Sequence, residues 1–244
     1  MLKRAIIKLS GEALAGSSNE SFCDETIDTI ASQLKIALEA GTEIALVVGG
    51  GNFWRGRVGK NVMNRVKADQ MGMLATVMNA IYLAEAFKRH EIESVVMTPM
   101  PFANMTRIYD KDSALAFMKK SIITFHAAGL CHPYFSTDSV TALRGAELEA
   151  ECVLYTKNGV GGVYDGIPTD NAKMYKSLSY KVALEKQLQF VDLAALTILI
   201  EANVPSFVFG LGEEDGIVRA CMSKHNFGTQ LNSNIEEEFY VSAH

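Results

Sequence analysis

The chain has 244 residues, 48% of them hydrophobic, enough to bury one large core, and residues 1–244 are expected to form a single unit. Its 23 Lys and Arg against 28 Asp and Glu leave a net charge of -5, which lacks the basic excess that a partner rich in nucleic-acid phosphates would require. Anion binding stays open wherever the few cations converge on one cleft, because local field outweighs global charge at short range.

In chain order, residues 5–9 form the first predicted strand, and Ile27, Ile30, Ala31, Leu34 and Leu38 then fall on one helical face that Gly41 stops. Residues 44–48 repeat the strand signal. Met71, Leu74, Met78 and Ile81 keep helical spacing and predict a longer helix running toward His90. Further strands are predicted at 94–97, 122–125, 152–156 and 206–209, with helices at 113–119, 139–143, 191–201 and 216–222. Alternation of this kind predicts an α/β fold, a mostly parallel central sheet with helices on both faces. The segment 159–172 is the nearest thing to a linker, and Glu236, Glu237 and Glu238 read as a solvated charge run. The four cysteines, Cys23, Cys131, Cys152 and Cys221, have no zinc-ligand spacing and no C-x-x-C pair, and read as buried, reduced thiols of a cytosolic protein. The start of the chain is too short for a signal-peptide core and no apolar run reaches membrane-span length, so a cytoplasmic protein without a membrane partner is expected.

In sheets of this class ligands sit beyond the carboxyl ends of the strands. Four strand-end junctions stand out. Lys8-Leu9-Ser10-Gly11 offers a cation, a hydroxyl and an open backbone N–H to a phosphate oxygen, although a strand-end lysine before a glycine turn is also ordinary structure. Gly49, Gly50 and Gly51 contribute no packing of their own, which points to close approach of another group to the main chain, and Arg55 and Arg57 follow as planar phosphate donors. The Walker pattern fails there, because Arg57 and Val58 stand where Lys and Ser or Thr are needed. Asp69, ahead of the long helix, is either a helix-start carboxylate or an acceptor for two sugar hydroxyls. Ser136-Thr137-Asp138-Ser139 brings three hydroxyls and a carboxylate to a helix start, where a capping box is the plainer alternative. His126 and His132 have no ligand partner at fixed spacing and read as structural.

Taken together and in this order, these junctions resemble the bacterial UMP kinases of the amino-acid-kinase family. The resemblance is carried by Lys-Leu-Ser-Gly-Glu-Ala-Leu at 8–14, Gly-Gly-Gly-Asn-x-x-Arg-Gly at 49–56, Met-Gly-Met-Leu-Ala-Thr-Val-Met-Asn at 71–79 and Pro-Tyr-Phe-Ser-Thr-Asp-Ser at 133–139, and it continues through Arg144 and 180–195. It implies an amino-acid-kinase-like three-layer sandwich that moves a phosphoryl group from magnesium-bound ATP to UMP. Lys8, Leu9, Ser10, Gly11, Gly51 and Arg55 would then hold the ATP phosphates, with Asn158 and Tyr164 lining the ATP side. Gly50 and Asp69 would hold UMP, Asp69 on its ribose, and Leu130, Cys131, His132, Pro133, Tyr134, Phe135, Ser136 and Thr137 would enclose the acceptor phosphate. Asp138 would orient Lys8, the two forming the catalytic pair. The family assembles as hexamers, so a homo-oligomer is expected, with nucleotides as its small-molecule partners.

Three stretches depart from the family pattern. Gly129-Leu130-Cys131-His132-Pro133 replaces Gly-Thr-Gly-Asn-Pro, removing a hydroxyl and a glycine from the acceptor wall. A hydrogen bond to a charged group is worth roughly 1.5 to 3 kcal/mol, so this predicts reshaped rather than abolished binding. Gly161 and Ile167 stand where the family carries carboxylates, and the loop after Leu14 lacks the glycine-bearing stretch used near the family's GTP site. The alternative these departures raise is a nucleotide- or oxyanion-binding storage protein on the same fold.

Overall fold

The computed structural model describes residues 1–16, 20–54, 63–168 and 171–240. Arg55 and Arg57 lie outside the described residues. Strand β1 (Arg4–Leu9) leads into the short helix α1 (Gly11–Leu14), then α2 (Asp24–Glu39), β2 (Glu43–Val48) and the long α3 (Arg65–Phe87). The chain continues through β3 (Ser94–Thr98), β4 (Arg107–Ile108), α4 (Lys111–Met118), β5 (Ile123–His126), α5 (Thr137–Glu147) and β6 (Cys152–Lys157). It closes with β7 (Tyr175–Ser179), α6 (Tyr180–Glu185), α7 (Leu193–Glu201), β8 (Ser206–Gly210), α8 (Gly216–Cys221), β9 (Thr229–Asn232) and β10 (Glu238–Phe239).

These strands form one sheet in the order β10-β7-β9-β8-β6-β1-β2-β5-β3-β4. Every pairing is parallel except β8 with β9 and β10 with β7. β1 lies between β2 and β6, so the chain order reverses across it and a crevice opens at its carboxyl end, which is where Lys8 lies. Strand alternation sends Ala5, Ile7 and Leu9 into the core layer under α2, α3 and α8, and Ile6 into the layer under α4, α5 and α7. Lys8 shares the face of Ile6, and Lys157 that of Val153 and Tyr155, so both lysines emerge on the α5 and α7 side.

The predicted strands are present to within a residue at each end. Helix boundaries differ where a side chain caps the first turn: Asp110 accepts from Ser113 N at 2.9 Å and α4 begins at Lys111, and Asp192 accepts from Ala195 N at 2.8 Å and α7 begins at Leu193. β4, β7, β9 and β10 were not anticipated, because short strands with polar alternation carry little hydrophobic signal. The 159–172 segment is no linker, since Val163 N donates to Thr229 Oγ1 at 2.9 Å and Tyr175 N to Val163 O at 2.9 Å, tying it to β7 and β9.

The long helix is present as predicted, and its larger apolar side chains face outward. Met71, Leu74, Met78 and Ile81 are 38%, 51%, 52% and 38% exposed, while Ala68, Ala75, Thr76, Val77, Asn79, Ala80, Leu83 and Phe87 are buried. Small side chains let α3 lie close to the sheet and the glycine turn, leaving the larger apolar stripe facing outward. No helix among the described residues is long and apolar enough to cross a membrane.

Candidate active site

Lys8 is held at the end of β1 by Thr156, whose hydroxyl donates to Lys8 O at 2.8 Å. Its ammonium lies 3.3 Å from Asp138 Oδ1, both side chains being mostly buried. That oxygen has no hydrogen-bond partner among the described residues, so the contact is an ion pair outside hydrogen-bond geometry. Asp138 stands in the first turn of α5, whose cap Ser136 accepts from Asp138 N at 2.9 Å and Ser139 N at 3.4 Å. Tyr155, buried beneath, donates to Asp138 O at 3.2 Å, and burial holds its phenol well above the usual range, so it stays protonated.

Two further residues join this centre without having been singled out in the sequence. Asp192 accepts from Ser136 Oγ and, at 2.9 Å, from Ser139 Oγ, while capping α7. Lys157, at the end of β6, donates to Phe190 O; burial lowers its pKa, with Asp138 and Asp192 working against that shift and Lys8 adding to it. Their signal was positional. Lys157 ends a strand beside Lys8, and Asp192 precedes a strongly apolar helix.

The glycine turn packs more tightly than the sequence argument supposed. A Cβ on Gly11 would lie 2.4 Å from Gly49 O, and one on Gly50 would lie 2.8 Å from Ala75 Cβ, so these glycines let two turns and α3 touch. Asn79, fully buried on α3, donates to Gly49 O at 2.6 Å and to Asn52 Oδ1 at 2.7 Å. One turn earlier, Thr76 Oγ1 accepts from Ala128 N at 2.9 Å. The 71–79 motif therefore does structural work: a single helix suspends both the glycine turn and the loop after β5.

A cavity of about 280 Å³ opens between these parts, and Gly50, Asp69, Phe135, Ser136 and Thr137 line it together with Trp54, Met73 and Gly129. Asp69 accepts from Arg65 Nε at 2.7 Å and 2.9 Å and from Tyr134 N at 2.9 Å. Leu130 and Cys131 instead pack against the two core layers, and His132 and Tyr134 are exposed. A second cavity, about 510 Å³, is lined by Lys157, Gly162, Tyr164, Ile167 and Phe190. Gly161 precedes it, and exposed Asn158 directly follows Lys157. The largest concavity, about 1060 Å³, runs from Ile81 and Lys88 to Arg107 and Phe117, away from the lysine centre. Size alone does not locate chemistry; the 280 and 510 Å³ cavities flank the converged charges.

The family model of the amino acid kinase family matches residues 3–210. The solved UMP kinase from Bacillus anthracis is similar at a TM-score of 0.93 and 32% identity, over 98% of this chain and 99% of that one. The UMP kinase from Ureaplasma parvum is similar at 0.89 and 30% identity, over 96% of this chain and 100% of that one. A uridylate kinase from Archaeoglobus fulgidus shares the fold at 0.70 and 24% identity, over 93% and 99%.

Proposed function

This chain belongs to the amino acid kinase family, and on that premise we propose that it transfers the γ-phosphoryl group of ATP to UMP, giving ADP and UDP in pyrimidine nucleotide synthesis. The observation that carries the reading is the Lys8 to Asp138 pair at 3.3 Å, set where Thr137 lines one cavity and Lys157 lines the other. The 280 Å³ cavity, with Asp69 and Thr137 in its wall, takes UMP. The 510 Å³ cavity, with Tyr164 in its wall, takes the ATP base and sugar.

Phosphoryl transfer asks a protein for in-line positioning and for donors to the charge on the transferring group. The nucleophile is a phosphate oxygen of UMP, already ionised, so no general base is needed. Lys8 supplies the donor at the transferring group and Asp138 fixes where its ammonium points. The amino end of α5, at Thr137, faces the acceptor phosphate with the positive end of the helix dipole. Ser10 and Gly11, at the start of α1, lie beside Lys8 for the ATP phosphates. Asp69 exchanges part of its bonding with Arg65 for the ribose hydroxyls. The magnesium that accompanies ATP would be held in a site of this kind by phosphate oxygens and water with one or two carboxylates, and Asp138, whose Oδ1 faces Lys8 but accepts no hydrogen bond among the described residues, fits that role.

The apolar stripe of α3 supports a homo-oligomer built through that helix, since four large side chains in register are otherwise left to water. All four cysteines are free thiols, Cys152 and Cys221 buried but Cys23 and Cys131 partly exposed rather than buried as expected; free thiols fit a reducing compartment, and we assign the chain to the cytoplasm. The test is ADP formation with UMP, CMP and AMP side by side, with Lys8→Ala as control. UMP turnover that Lys8→Ala abolishes supports the proposal; nucleotide binding without turnover in a folded sample points instead to the storage reading.

A further inference from the structure

Lys157 is a half-buried cation whose hydrogen bonding among the described residues leaves most of its donor capacity unused. Its ammonium has three N–H groups, and the one hydrogen bond it makes among the described residues goes to a backbone carbonyl, Phe190 O. Asp138 pairs with Lys8 and Asp192 is engaged by Ser136, Ser139 and Ala195 N, so neither carboxylate near Lys157 is given over to it. Holding an ammonium away from water without a close carboxylate is costly unless an anion arrives to meet it.

Strand register brings this ammonium to the side of Lys8. Lys8 pairs with Tyr155 across the β1–β6 ladder, and Lys157 follows Tyr155 by two residues, so both ammonium groups leave the same face of adjacent parallel strands at their carboxyl ends. Lys157 also lines the 510 Å³ cavity that holds Tyr164. It thus stands between that cavity and the Lys8 to Asp138 pair. We propose that Lys157 is a second phosphate-holding cation, binding the β- and γ-phosphates of the donor nucleotide from the cavity side while Lys8 binds the transferring group. The assignment rests on the ATP-dependent kinase reading above and names a residue that reading did not use.

The experiment uses the full chain with Lys157→Gln, which keeps a donor for Phe190 O and removes the charge, beside Lys157→Arg, which keeps the charge. Calorimetry with a non-hydrolysable ATP analogue and with AMP separates phosphate contact from loop support. The expected result for Lys157→Gln is analogue binding weakened about tenfold to a hundredfold, the range for losing a hydrogen bond to a charged group, with AMP binding within twofold of the parent. Lys157→Arg is expected to recover part of the loss, and kcat to follow the analogue. Equal losses for analogue and AMP, or no loss for either, overturn the assignment. Lys157→Met replaces the Gln variant if that one fails to fold. A parent protein that binds no adenine nucleotide overturns the kinase reading and this assignment together, whereas a parent that binds and a Lys157→Gln variant that binds equally well overturn this assignment alone.

Discussion

The carboxylate of Asp192 accepts from the hydroxyls of both Ser136 and Ser139 while capping α7, so one side chain joins the starts of two helices at the edge of the acceptor cavity. Asp192→Ala removes the α7 cap, which alone is worth about 0.5 to 2 kcal/mol, and releases both hydroxyls. Urea denaturation is expected to show a loss of at least that size. The KM for UMP should rise, because the first turn of α5 loses its anchor. An unchanged midpoint would count against this role.

Lys8→Ala is expected to lower kcat by about a hundredfold to a thousandfold, the usual cost of deleting one donor aimed at developing charge. Stability should fall as well, since the mostly buried carboxylate of Asp138 is left without its cation. Steady-state rates with a melting curve on the same sample check both halves.

Asp69→Ala should raise the KM for UMP about tenfold to a hundredfold. It should also erase discrimination between UMP and its 2′-deoxy form, because the carboxylate reads the ribose. Equal KM values for the two sugars in the parent would sink this assignment.

His126 sets a pH dependence of stability. Its ring is fully buried near Arg144 with Nε2 3.1 Å from Thr124 Oγ1, and burial first, then the Arg144 charge, lowers its pKa to about 3. The unfolded chain regains a value near 6.5. Between those values the unfolded state binds the extra proton, so stability is greatest above pH 6.5 and falls as pH drops toward 3. Its share between pH 7 and pH 5 is about 2 kcal/mol. Chemical denaturation at both pH values should show a smaller drop in His126→Phe than in the parent.

The stripe on α3 predicts self-association. Leu74→Glu with Met78→Glu places two charges among side chains that are 51% and 52% exposed, where folding does not need them but a seated copy would. Sedimentation is expected to show an assembly for the parent and a smaller species for the double variant.

Much of this fold was legible in sequence because its central strands are apolar runs, and because Lys8 stands near the end of one while Asp69 and Asp138 stand in the first turns of helices that come after others. The outlying strands were not, since β7 and β9 alternate polar and apolar residues and gain their order from partners far along the chain. Asp192, Lys157, Thr76 and Asn79 act through hydrogen bonds that span tens of residues, and spacing along the chain carries no trace of such bonds. Which side of α3 faces the sheet was not legible for a related reason. Periodicity identifies an apolar side of a helix but not which neighbour meets it, and here alanines meet the sheet.

Asn79 and Thr76 hang two turns of unrelated sequence from one rod. The turn at Gly49 and the loop at Ala128 therefore cannot wander separately, and any roll of that rod carries both rims of the cleft in the same sense. Alignment of donor and acceptor is thereby written into a single rigid yoke, which two loops governed by their own local preferences would lack.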